Sequence, residues 1–156
     1  MARCTARMSP DFALVEAVET VPALQRKVSA LQPPKEARPP FSFYIPSADS
    51  ERHDLDGPTG LQSFAAELHL VAASFDHLKL LSAKVKAAVM DMRGGVYRTP
   101  AEFTEVGLRG AVLIENAEME QSSPDLYERE VGLYRRVYTV RLEYQTEGQY
   151  EEVISG

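Results

Sequence analysis

A chain of 156 residues, 44% hydrophobic and 26% charged, has the size and composition of one globular domain that buries roughly 70% of its extended surface. Its net charge of −6, from 23 acidic against 17 basic residues, argues against a protein whose main affinity comes from neutralising phosphates. One cysteine, Cys4, excludes an intrachain disulfide and a cysteine-rich zinc site, and no segment approaches the roughly 20 apolar residues of a membrane span.

The opening MARCTARMSP carries Arg3 and Arg7 but runs into DFALVEAVE, whose acids interrupt the apolar stretch a signal peptide needs. A flexible N-terminus over residues 1–9 of a soluble, non-secreted chain is expected. Ser9 and Pro10 read as N-cap and first helical residue, with Asp11 near the positive end of a helix. Pro22 interrupts that helix, and Leu24, Val28 and Leu31 continue at helical spacing until Pro33 and Pro34. The segment predicts a broken helix or two short ones.

PPKEARPP reads as a proline-bounded linker, and FSFYIP alternates Phe41, Phe43 and Ile45 against Ser42 and Tyr44 as a strand does. The polar, acidic SADSERHDLDGPTG lies between two strand patterns and predicts a long hairpin connection or protruding arm. From Ser63 the alternation is clean, with Phe64, Ala66, Leu68, Leu70 and Ala72 on one face and Glu67 and His69 on the other. Ser74 then offers an N-cap to a helix carrying Leu78, Leu81, Val85, Ala88, Val89 and Met92, which Gly94 and Gly95 close.

VYRTPAEFTEVGLRG holds Thr99, Pro100 and Glu102 in capping-box order, equally compatible with a helical turn and an irregular loop. Two strands follow, AVLIENAEMEQ and VGLYRRVYTVRLEYQ, the second with Tyr134, Tyr138, Val140, Leu142 and Tyr144 on one face. SSPD turns between them, so an antiparallel pair is expected. The fold class is therefore α+β, a four-stranded antiparallel sheet with two main helices packed on it and a long hairpin loop. The domain spans residues 10–145, followed by an acidic C-terminal tail over 146–156.

No P-loop, G-x-S-x-G elbow or HExxH occurs, and His53, His69 and His77 have no metal-ligand spacing. Gly94 and Gly95 end a helix, whereas anion sites use the N-terminal end. Glu115, Glu118 and Glu120 read as a solvated or lumen-facing strand rather than a cation site. Arg135 and Arg141 project to one side and Arg136 to the other, which splits any basic strip for DNA. Arg136 breaks an apolar face and needs an ion-pair partner, buried or at an interface. No catalytic, cofactor-binding or metal-ligating residue is assigned, and the chain reads as a non-enzyme.

PPFSFYIP, DGPTGLQSF, AAELHLVAASF leading into DHLKLLSAKVKAAVMDM, and the late SSPDLYEREVGLYRRVYTVRLEY together resemble the tail-completion family of long-tailed bacteriophages. The resemblance covers residues 12–144 and rests on patterns, with no catalytic residue to carry over. It implies a homohexameric ring in the neck of the virion, assembled in the host cytoplasm. Such a ring terminates the tail tube, meets the major tail tube protein on one side and a head-completion or connector protein on the other, and lets DNA pass without specific binding. An acidic lumen suits that passage, because it repels a polyanion. Candidate assembly contacts are Asp49, Glu51, Asp54, Leu55 and Asp56 in the hairpin arm, Arg136, and exposed strand edges. The alternatives are a head-completion adaptor of the same particle, a small-ligand binding module, or an enzyme on a plain α+β scaffold.

Overall fold

The computed structural model describes residues 10–47, 61–100 and 110–147. Helix α1 spans Asp11–Glu19 and buries Phe12, Ala13, Leu14, Ala17 and Val18. Pro10 sits at its cap without a side-chain hydrogen bond, its carbonyl accepting from the amides of Ala13 and Leu14 at 3.0 and 3.2 Å. Ser9, the expected cap, lies outside the described residues.

The stretch after Pro22 departs from the helical expectation. Pro22–Leu24 forms one 3-10 turn, Arg26 takes a φ of 62°, and Val28–Ala30 is a strand, β1. The left-handed residue ends any helix there. Leu24 and Val28 still meet the core, which is why their spacing imitates a helix; extended backbone brings Val28 to the same place while pairing the edge of the next strand. The Ser42 amide donates to the Lys27 carbonyl at 2.9 Å and the Leu31 amide to that of Tyr44 at 2.7 Å.

The strands β2 (Phe41–Pro46) and β3 (Gln62–Ala72) form the expected antiparallel pair. Helix α2 (Phe75–Met90) follows, and Ser74 caps it by accepting from the His77 amide at 3.1 Å. Gly94 supplies the positive φ, 78°, of the reversal after the helix. The last strands are β4 (Val96–Arg98), β5 (Ala111–Gln121), β6 (Leu126–Glu128) and β7 (Leu133–Glu147). β7 runs past the boundary expected at 145.

Among the described residues the sheet has seven strands rather than the four expected, in the order β1-β2-β3-β7-β5-β4, with β6 also paired to β7. The four long strands are those the alternation predicts; β1, β4 and β6 are three residues each, too short to produce a period of two in sequence. Among the described strands β1 and β2 run parallel and the other pairs antiparallel.

α1 and α2 cover one face of the sheet, where Leu14, Leu68, Leu70, Leu78, Val85, Ile114, Val140 and Leu142 form the core. The opposite face carries a smaller cluster of Phe41, Phe43 and Val71, with Ala37 and Leu133 against it. The proline-bounded segment is therefore more than a linker, since Ala37 packs on the sheet. Both faces of β2 are buried, which its simple alternation did not indicate.

Candidate functional site

Three features of the sheet carry chemistry, and each follows from where the strands place their side chains. The first is Arg136. It lies on the helix-covered face of β7, between Tyr134 and Tyr138, as the alternation requires. Its Nε and Nη2 donate to the two carboxylate oxygens of Asp125, both at 2.7 Å, and its Nη1 reaches the Tyr138 hydroxyl at 3.4 Å. Gln121 adds a bond from Nε2 to Asp125 at 3.0 Å. The guanidinium hydrogen bond holds the Asp125 carboxyl below its ordinary range, and the same bond pushes Arg136 upward. This bidentate pair ties the SSPD turn to β7. The partner that Arg136 was expected to need is thus within its own chain.

The second is His69 on the outer face of β3. Its ring stacks on Phe43 at 4.4 Å and 12°. Only 8% of the residue is exposed, and neither ring nitrogen has a hydrogen-bond partner among the described residues. Glu67 approaches Nε2 at 3.6 Å, too far for a hydrogen bond. Burial, reinforced by the neighbouring positive charge of Arg135, lowers the pKa of the imidazole. The sequence places His69 on the solvent side of the strand, and only the register of β2 against β3, which sets Phe43 opposite it, puts it under cover.

The third is the pair of sheet edges. β4 covers β5 only at residues 111–113, and a bulge between Ile114 and Asn116 follows. Beyond it Nε and Nη2 of Arg93 donate to the Ala117 carbonyl at 3.2 and 3.0 Å. Glu115, Glu118 and Glu120 are exposed there, with Glu118 opposite Arg141 and Glu120 opposite Thr139. The other edge of the sheet is β1. The expected splitting of Arg135 and Arg141 from Arg136 holds, and Arg135 pairs with Glu128 on the neighbouring β6 at 2.6 Å.

Asp49, Glu51, Asp54, Leu55 and Asp56 lie outside the described residues, as do His53, Cys4, the capping-box residue Glu102 and the tail from 148 onward. Among the described residues no three His, Cys, Asp or Glu side chains converge as metal ligands, and no helix is long and apolar enough to cross a membrane.

No protein family matches the chain by sequence, and no curated protein does. Solved structures do match it. One, whose name states no function, is 15% identical with a TM-score of 0.41, covering 91% of this chain and 98% of its own. A likeness of that size carries no functional argument.

Proposed function

We propose that the chain is a structural virion protein that terminates the tail tube of a long-tailed bacteriophage and joins it to the head, acting as a homohexameric ring. The observation that supports this reading most is the extent of the sequence resemblance, spread over residues 12–144. Its segments include β2 (FSFYIP), most of β3 (AAELHLVA), most of α2 (DHLKLLSAKVKAAVM) and the late SSPDLYEREVGLYRRVYTVRLEY, which holds β6 and most of β7.

A ring subunit needs two different surfaces that fit each other, so that identical copies join head to tail and close. A sheet with one face under helices and a different strand at each edge supplies such a pair. The role demands no chemistry from the side chains. The net charge of −6 suits a channel for DNA, because a lumen that does not neutralise phosphates does not hold the passing strand.

Location in the particle tests the reading against that of a head-completion adaptor. Protein tagged at its C-terminus and labelled with gold is expected at the head-proximal end of free tails. Label on tail-less heads and absent from free tails would overturn tail termination in favour of the adaptor.

A further inference from the structure

The two edges of the sheet differ in charge and match in facing. β5 pairs with β7 throughout, and the Ser122 amide donates to the Val137 carbonyl at 3.0 Å, which fixes the alternation of the ladder. Residues 116, 118 and 120 exchange bonds with β7, so Ala117, Met119 and Gln121 turn their main-chain groups to the other side. Arg93 occupies the Ala117 carbonyl. Among the described residues no strand pairs the side of β5 away from β7 past Leu113, so Met119 and Gln121 present an edge.

At the opposite end, Lys27 and Leu31 bond to β2, so Val28 and Ala30 turn outward. The Gln32 amide takes the Ala30 carbonyl at 2.8 Å. The Val28 N–H and carbonyl and the Ala30 N–H are what β1 offers to a further strand, and among the described residues none pairs there.

Side chains at the two edges share a face. Ala117 and Met119 enter the core, so Glu118 and Glu120 project from the sheet face away from the helices. Val28 packs on the core, so Lys27 beside it projects to that same outer face, where its Nζ donates to the Arg38 carbonyl at 3.2 Å and keeps further hydrogens for a second acceptor. Acidic residues thus line one edge and a lysine the other.

We propose that the β5 edge of one copy receives β1 of the next, continuing the sheet from subunit to subunit with Lys27 laid against Glu118 and Glu120. The contact rests on the ring reading above and supplies the joint that reading leaves open. Opposite charges across neighbouring strands stabilise pairing and like charges oppose it. Two β5 edges meeting each other would set glutamate on glutamate, so the charges select the head-to-tail joint over a symmetric dimer. Each joint has few main-chain bonds, and closing the ring adds their effects by making the last contact intramolecular.

Charge exchange tests this on the full chain, by native mass spectrometry and sedimentation over a concentration series. Lys27→Glu alone, and Glu118→Gln with Glu120→Lys in a second variant, are each expected to melt like wild type and to assemble about tenfold less readily. An equimolar mixture is expected to recover assembly, because every joint then sets an acidic edge against a basic one. Lys27→Gln, which removes the charge without reversing it, should fall between. A mixture that recovers nothing, or variants that assemble as wild type does, would overturn the joint while leaving a wild-type ring intact. A wild-type chain that stays monomeric across the series would overturn the joint and the ring together.

Discussion

At position 136 a guanidinium interrupts a strand face otherwise made of Tyr138, Val140, Leu142 and Tyr144. It is tolerated because Asp125 meets it with both oxygens, so neither charge is left without a partner as it leaves water. Because the Asp125 pKa is lowered on folding, its contribution is present at neutral pH and is lost as pH falls below the ordinary carboxylate value of 3.8. His69 acts in a higher window. Its folded pKa lies below the ordinary 6.5, so the unfolded chain takes up the proton first as pH falls through about 6.5, and stability declines from there downward. Glu67 works against this shift and Arg135 with it. His69→Phe keeps a ring stacked on Phe43 and removes the titrating group. The fall in melting temperature between pH 7 and pH 5 is expected to be smaller in the variant than in wild type, and equal falls would remove His69 from the acid response.

At the scale of elements, β3 is the centre of the sheet, bonded to β2 on one side and β7 on the other. Leu68 is fully buried on its core face, while the side chain of Glu67 is 56% exposed on the other. Leu68→Asp is therefore expected to cost about 3 kcal/mol or more, from an unpaired carboxylate in the core. Glu67→Ala should cost less than about 1 kcal/mol. Equal thermal stability of the two variants would contradict this placement of the strand. β3, β5, β7 and α2 were legible in the sequence because each is long enough for its period to repeat, and because Ser74 and Gly94 mark the ends of α2. β1 was not, since Leu24 and Val28 satisfy a helical spacing and a strand equally well until the backbone turns at Arg26. β4 and β6 left no period to read. The need of Arg136 for a partner was legible; Asp125 as that partner was not, because a turn brings it back from eleven positions away. The cover over His69 likewise depends on register, which the alternation within one strand does not contain.

At the scale of the whole molecule, the proposed ring needs two unlike surfaces that fit each other, and the edge carrying Glu118 and Glu120 differs in that way from the edge beside Lys27. The candidate contacts Asp49, Glu51, Asp54, Leu55 and Asp56 belong to this scale too; they lie outside the described residues, in the stretch of sequence between the antiparallel strands β2 and β3. The proposed role is to end tail growth and join tail to head, and electron microscopy of particles made without the chain is the direct test. Full heads unjoined to tails, beside tails of abnormal length, are expected; complete particles with tails of normal length would overturn the proposed role.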